Sequence, residues 1–161
     1  MTESLRSGDV VVCVQGLGFV GAAMCLALAS ARDASGRPQF SVIGLERPTP
    51  LGIARARAIG DGRFPFVAMD PELDAAAAAA HAQGNLAATT DPAAIAAADV
   101  VVVNIGLDVV ASDGEPPRAA MEGFLAGLRE VGAHLKADAL VVIETTVPPG
   151  TPGRRVAPSL A

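Results

Sequence analysis

The chain has 161 residues, a net charge of −5 at pH 7 and 51% hydrophobic residues, with no Trp or Tyr. This length suits one domain with a core of its own, and an acidic chain without a basic stripe is not typical of a nucleic-acid-binding protein. The two cysteines, Cys13 and Cys25, are too few for a disulfide framework, so we expect small buried hydrophobic residues in a cytoplasmic protein.

The first predicted unit is a strand, a glycine-rich turn and a helix. Residues 10–14 form an apolar, β-branched run that is typical of a strand buried on both faces. Residues 16–21 read GLGFVG, and residues 22–31 are small and apolar, which predicts a helix. A G-x-G-x-x-G pattern placed between a strand and a helix indicates a dinucleotide-binding turn.

Each glycine of this turn has a predicted physical role. Gly16 permits the tight turn, Gly18 lets a pyrophosphate approach the backbone, and Gly21 lets the helix pack closely on the strand. The amino end of the helix then offers free N–H groups to the phosphates. The cofactor contacts expected from the turn are those of Gly16, Leu17, Gly18, Phe19, Val20 and Gly21.

A membrane span or a signal peptide is the alternative interpretation of this segment. Residues 10–31 carry no charge over about 22 positions, which is long enough to cross a bilayer. They also end in Ala-Ser-Ala, which resembles a signal cleavage site. Three glycines and Gln15 within the run favour the nucleotide-binding turn, so we expect no membrane association.

The second predicted strand, at residues 40–45, is followed by Glu46. A dinucleotide fingerprint expects an acidic residue near this position, where its carboxylate accepts hydrogen bonds from the adenosine ribose. Because a carboxylate repels a 2′-phosphate, Glu46 favours NAD over NADP. Arg47 follows it and is able to accept a 2′-phosphate, so NADP stays open, and an ordinary exposed glutamate is the simpler alternative.

The rest of the chain alternates predicted helices and strands. Helices are expected at 51–59, from Asp70 to Gly84, from Asp91, at 118–136 and from Thr151 as an N-cap, with strands at 86–89, 100–105 and 140–144 and a polar loop at 108–117. His81 and His134 are interpreted as solvated helix residues, and no cysteine–histidine spacing predicts a metal site.

This alternation predicts an α/β fold with a doubly wound parallel sheet, a Rossmann-like NAD-binding domain. Ligands of such sheets bind outside the carboxyl ends of the strands. Loops that follow the fourth and fifth strands lie at the same edge as the glycine turn. The expected cofactor site therefore also includes Ile105, Gly106, Thr145 and Thr146 of these loops, together with Arg47 after the second strand.

Five segments, GLGFVGAAMCLALA, VIGLE, GNLAATTD, AADVVVVNI and LVVIETTVPPGT, resemble the N-terminal domain of the UDP-glucose/GDP-mannose dehydrogenase family. That family oxidises the C6 alcohol of a nucleotide sugar to the carboxylate with two NAD molecules. The resemblance implies that Gly16, Gly18, Gly21 and Glu46 hold NAD. It also implies that Thr146 is a catalytic residue near the reacting end, where its hydroxyl orders a water or orients the substrate.

The sequence departs from the family in three places. Residues 105–108 read IGLD where the family has a Pro-Thr-Pro-like stretch, the loop at 32–38 is longer, and the chain ends before the nucleotide-sugar domain that carries the family's catalytic Cys. We therefore expect residues 1–161 to be a single dinucleotide-binding domain, a fragment that is inactive alone. Its nucleotide-sugar partner would be held by the missing half, and exposed apolar surface would favour a homo-oligomer. A stand-alone NAD-binding regulatory module, or the cofactor domain of another hydroxyacid-type dehydrogenase, is the alternative.

Overall fold

The computed structural model describes residues 10–111 and 117–161. In chain order the elements are β1 (Val10–Gln15), α1 (Phe19–Ser30), β2 (Phe40–Leu45), α2 (Pro50–Gly60), α3 (Pro71–Gln83), β3 (Leu86–Thr89), a 3₁₀ helix (Pro92–Ala97), β4 (Val100–Val103), β5 (Val109–Val110), β6 (Arg118–Ala119), α4 (Met121–His134), β7 (Leu140–Ile143), a π-helical turn (Pro152–Val156) and α5 (Ala157–Leu160).

Five parallel strands form the main sheet in the order β3-β2-β1-β4-β7. The central strand is β1, whose Val12 lies opposite Val42 of β2 and Val100 of β4. Crossovers between parallel strands place helices on both faces of the sheet, which is why the inner strands β2, β1 and β4 are nearly continuous apolar runs. The predicted α/β fold with a doubly wound parallel sheet is confirmed, and the strands' carboxyl ends lie at one edge.

Alternate residues of β1 enter two separate hydrophobic clusters. Val14 belongs to the cluster that includes Leu26 of α1, together with residues of α2 and α3. Cys13 belongs to the cluster that includes Phe124 of α4, together with Ile95 of the 3₁₀ helix. Successive side chains of a strand point to opposite faces, so each face of the sheet has its own helical layer.

The uncharged segment 10–31 folds as a strand, a turn and a helix of 12 residues. No helix in the described ranges is both long and apolar enough to cross a membrane. The helix α1 begins at Phe19, three residues before the predicted start, because the second half of the glycine turn is already helical.

Predicted helix ends agree with the structure where a capping residue sets them. Asp70 accepts a hydrogen bond from the N–H of Glu72 at 2.9 Å, and Gly84 ends α3 in a left-handed conformation with φ of 69°. These are the two standard ways of satisfying the end groups of a helix. The strand β4 ends at Val103, two residues earlier than predicted.

The structure differs from the prediction where the expected loop at 108–117 meets the expected helix at 118–136. Arg118–Ala119 pairs with Val109–Val110 as a two-stranded antiparallel ribbon, so these residues are extended and α4 begins at Met121. Residues 112–116 of the predicted loop lie outside the described residues.

The prediction that Thr151 caps the last helix is wrong. Its backbone is helical, with φ of −58° and ψ of −43°, and its side chain makes no capping hydrogen bond. An N-cap residue needs a non-helical backbone. Here the N–H of Thr151 already donates to the carbonyl of Pro148 at 3.1 Å, so the turn begins earlier in the chain.

Candidate functional site

The three glycines of the turn between β1 and α1 differ in their surroundings. Gly16 has φ of +96°, and a Cβ there would lie 2.6 Å from the carbonyl oxygen of Asn104. A Cβ at Gly21 would lie 1.9 Å from the carbonyl oxygen of Gly16, whereas one at Gly18 would meet nothing within 4 Å. The first and third glycines are therefore needed by the fold, and the middle glycine exposes backbone to open space.

The amino end of α1 is suited to an anion. Gly18 is its N-cap residue and has no side chain to accept the first N–H groups, and the first turn contains no acidic residue. Free N–H groups and the positive end of the helix dipole attract phosphate oxygens. The open space at Gly18 and the uncapped N–H groups of α1 are therefore suited to a pyrophosphate.

Glu46 joins the end of β2 to this turn. Its Oε2 accepts a hydrogen bond from the N–H of Leu17 at 3.1 Å, and its Oε1 accepts one from the N–H of Arg47 at 2.9 Å. The side chain is 11% exposed. The carboxylate therefore has a defined orientation at the carboxyl edge of the sheet.

Arg55 on α2 is a site residue that the sequence did not indicate. Its Nη1 lies 3.3 Å from Oε2 of Glu46, and its guanidinium lies 5.0 Å from the ring centroid of Phe66. Phe66 in turn contacts Phe19 and Phe64 at centroid distances of 5.7 Å each. A guanidinium held by a carboxylate and an aromatic face has little freedom, so Arg55 fixes Glu46.

Gly18, Glu46 and Arg55 border a cleft of about 850 Å³ along the carboxyl edge of the sheet. This volume is in the range of small-molecule sites. Predicted site residues that line the cleft are Gly16, Gly18, Glu46, Arg47, Ile105 and Gly106. Lining residues that were not predicted include Gln15, Thr49, Arg55, Pro92, Asn104, Gly123, Gly127 and Glu130.

Residues 10–161 match the model of the UDP-glucose/GDP-mannose dehydrogenase family, NAD binding domain. The chain belongs to this family. No match was found among curated protein sequences.

Three solved dehydrogenase structures are similar to this NAD-binding domain. NDP-N-acetyl-D-galactosaminuronic acid dehydrogenase from Methanosarcina mazei is 25% identical, with a TM-score of 0.81 over 99% of this chain and 32% of that one. GDP-mannose dehydrogenase from Pseudomonas aeruginosa is 27% identical, with a TM-score of 0.73 over 92% and 31%. UDP-glucose dehydrogenase from Pyrobaculum islandicum is 28% identical, with a TM-score of 0.73 over 97% and 34%. The chain thus spans about a third of the length of each.

Four predicted residues of the glycine turn do not line the cleft of this NAD-binding domain. Leu17 is fully buried and its side chain packs against Gly44, while its backbone N–H donates to Glu46. Phe19 and Val20 are exposed on the first turn of α1, and Gly21 is buried. Contacts of these four residues with NAD stay a prediction.

Thr145 and Thr146 follow β7 and do not line the cleft. The hydroxyl of Thr145 donates to the carbonyl of Ile105 at 2.8 Å, and Asn104 is hydrogen-bonded to Glu144. These bonds hold the loops after β4 and β7 together. Thr146 is exposed, and its catalytic role stays a prediction.

Gln15, the last residue of β1, lies under the cleft. The residue is 6% exposed, and its Nε2 donates to the carbonyl of Gly127 on α4 at 3.3 Å. Its Oε1 is buried and has no hydrogen-bond partner among the described residues. The sequence signal was available: Gln15 is a polar residue that ends an otherwise apolar strand.

The two cysteines are buried, as predicted, and neither lines the cleft. Burial raises the pKa of Cys13 to about 12, and it also raises the pKa of Cys25. Only the thiolate is a strong nucleophile, so neither thiol is suited to covalent catalysis. His81 is exposed, and the ring of His134 lies 2.9 Å from the carbonyl of Glu130 through Nδ1.

Proposed function

We propose that the cleft holds NAD and that this domain supplies the cofactor site of an enzyme that oxidises a UDP- or GDP-sugar alcohol to the carboxylate. The observation that carries the proposal is the bond between Glu46 and the glycine turn, which places an acidic residue beside an open phosphate site. When bound, NAD supplies the hydride acceptor for the sugar carbon.

The backbone around Gly18 would bind the pyrophosphate. The space above Gly18 is free, and the amino end of α1 has no side-chain cap. The N–H groups of the first helical turn then donate to phosphate oxygens, and no arginine or lysine is required for the contact.

Glu46 would bind the adenosine ribose. Its Oε1 accepts one backbone N–H, that of Arg47, and a carboxylate oxygen has room for a second donor such as a ribose hydroxyl. Arg55 keeps the carboxylate in place. A 2′-phosphate would meet the same carboxylate, so we propose a preference for NAD over NADP in spite of the neighbouring Arg47.

We further propose that the chain by itself does not oxidise nucleotide sugars. The aldehyde stage of such an oxidation needs an accessible nucleophile, and both thiols are buried with a raised pKa. The solved dehydrogenases that it resembles are about three times as long as the region matched. Residues outside this domain would thus supply the substrate contacts. We propose that Thr146 lies at the edge of the domain that faces those residues.

The test combines binding and turnover on the same purified chain. NADH binding is measured by fluorescence titration, and NADH production is measured with a panel of UDP- and GDP-sugars. We expect saturable NADH binding without turnover. Turnover that persists after Cys13→Ala and Cys25→Ala replacement would contradict the proposed incompleteness, and failure to bind NADH would contradict the proposed site.

A cytoplasmic location and self-association also stay predictions. Leu140 and Val142 of the edge strand β7 are 59% and 40% exposed, which supports contact with another polypeptide. Sedimentation of the purified chain over a range of concentrations tests self-association.

A further inference from the structure

The buried amide of Gln15 is incompletely satisfied. Its Nε2 donates to the carbonyl of Gly127, and its Oε1 has no partner among the described residues although it is shielded from solvent. The orientation of the amide follows from its neighbour, because a carbonyl oxygen can only accept and the nitrogen must face it. Oε1 is therefore the free acceptor, and a buried acceptor is unfavourable until a donor reaches it.

Small residues of α4 form part of the cleft wall beside Gln15. Gly123, Ala126 and Gly127 of α4 all line it and carry no long side chain. A Cβ at Gly127 would lie 2.4 Å from Cδ1 of Ile105 and 3.7 Å from Nε2 of Gln15, so α4 approaches these residues closely. The side chain of Ile105 therefore packs directly on Gly127, and an apolar wall of this kind is suited to contact with a planar ring.

The order of groups along the cleft identifies this ring, if the proposed NAD site is correct. The pyrophosphate would lie at Gly18 and the adenosine ribose at Glu46, and both residues line the same cleft as Gln15. The part of the cofactor that continues beyond this ribose is the adenine base. Its 6-amino group is the strong hydrogen-bond donor on the ring.

We propose that Oε1 of Gln15 accepts a hydrogen bond from the 6-amino group of adenine, which makes Gln15 a residue that selects the base of the dinucleotide. The bond from Nε2 to Gly127 is long, at 3.3 Å, and the terminal torsion of a glutamine has a broad energy profile, so a small rotation brings Oε1 toward a donor in the cleft while Nε2 stays beside the carbonyl. A 6-oxopurine presents an oxygen at the same position. Two acceptors would then face each other, and the analogue binds less tightly.

The test compares NADH with reduced nicotinamide hypoxanthine dinucleotide, in which the 6-amino group is replaced by an oxygen. The wild-type chain is expected to bind NADH about tenfold more tightly than the analogue. Gln15→Met keeps the length of the side chain and removes the acceptor, so the ratio of the two dissociation constants should fall towards one.

The ratio separates base selection from a general structural role. A variant that merely loosens the cleft weakens both dinucleotides alike and leaves the ratio unchanged. Asn85 is the matched control: it is a second buried amide with an unpaired oxygen, its Nδ2 donates to the carbonyls of Ala29 and Phe40, and it does not line the cleft. Asn85→Leu should therefore keep the wild-type ratio.

Two results would overturn the inference. One is a ratio near one for the wild-type chain, a result that needs no variant to fold. The other is a wild-type ratio in Gln15→Met. If the wild-type chain binds neither dinucleotide, the proposed NAD site itself fails, and that outcome is distinct from binding without selection.

Discussion

Oε2 of Glu46 accepts a hydrogen bond from the N–H of Leu17 at 3.1 Å, although 29 positions separate the two residues. The bond joins the end of β2 to the turn that follows β1. Because Leu17 lies between Gly16 and Gly18, this bond connects the acidic residue directly to the backbone that we propose binds the pyrophosphate. A change at Glu46 should therefore affect nucleotide selection as well as the turn.

Replacing Glu46 with Gln is predicted to reduce the preference for NADH over NADPH. The amide oxygen of Gln is still able to accept from Leu17, but the negative charge that repels a 2′-phosphate is lost. We expect the ratio of the two dissociation constants to fall by about tenfold. Titrations of both nucleotides into wild type and Glu46→Gln measure it, with Glu72→Gln, on the exposed first turn of α3, as the charge-matched control. Equal binding of the two nucleotides by the wild-type chain would refute the role of Glu46.

Replacing Arg55 with Met should weaken NADH binding, because Glu46 loses the guanidinium that fixes it. We expect a loss of up to about fivefold, since a partly exposed ion pair contributes at most about 1 kcal/mol. Arg55→Lys keeps the charge but not the planar contact with Phe66, so its affinity should be intermediate. Arg57→Met, an exposed arginine on the same helix that does not line the cleft, is the control. Unchanged NADH affinity in Arg55→Met would show that Glu46 holds its position unaided.

The parts of the fold set by local chemistry could be predicted from the sequence. β2 has the predicted bounds because an apolar run is bounded by polar residues, and α3 begins and ends where Asp70 and Gly84 cap it. The edge of the sheet that carries the site follows from the parallel order of the strands. These features depend on neighbours in sequence or on the general rule for parallel sheets.

The remaining features depend on contacts between distant residues. Arg55 contacts Glu46 nine positions away and the ring of Phe66, and a lone arginine on a helix gives no sign of either. Gln15 meets Gly127 across 112 positions. The short pairing of Arg118–Ala119 with Val109–Val110 replaced a predicted first helical turn, because tertiary pairing outweighed local helix propensity.

Both thiols are predicted to be unreactive in the folded chain. Cys13 and Cys25 are fully buried, and burial raises the pKa of each, so almost no thiolate is present or accessible near pH 8. A thiol reagent such as DTNB should label neither in the native chain and both after unfolding in urea. Rapid labelling of the native chain would contradict the buried assignment of that cysteine.

Asp99 is predicted to make the stability depend on pH in the acid range. Hydrogen bonds from Lys136 and from the N–H of Val11 lower the pKa of its carboxyl from the ordinary 3.8. The folded state then holds this proton less tightly than the unfolded state, so the stabilisation is complete above pH 3.8 and is lost as the pH falls through the lowered pKa. Asp99→Asn should therefore be less stable than wild type at pH 7, and the difference should shrink towards pH 2.

Urea unfolding at both pH values measures this difference. Asp138→Asn, an exposed residue close in sequence to Lys136, is the control and should show no such change. A stability difference between wild type and Asp99→Asn that is the same at both pH values would contradict the linkage.

Binding of NAD at the glycine turn is tested by NADH titration of the wild-type chain and of Gly18→Val. A Cβ at Gly18 meets nothing within 4 Å and its φ of −62° suits any residue, so the variant should fold with an unchanged melting temperature. Gly60→Val, whose Cβ also meets nothing within 4 Å, controls for the added side chain, and Gly21→Ala should fail to fold normally because its Cβ would lie 1.9 Å from a carbonyl oxygen. We expect saturable NADH binding by wild type and Gly60→Val and no detectable binding by Gly18→Val. Binding of NADH by folded Gly18→Val with the wild-type dissociation constant would show that this turn does not hold the cofactor.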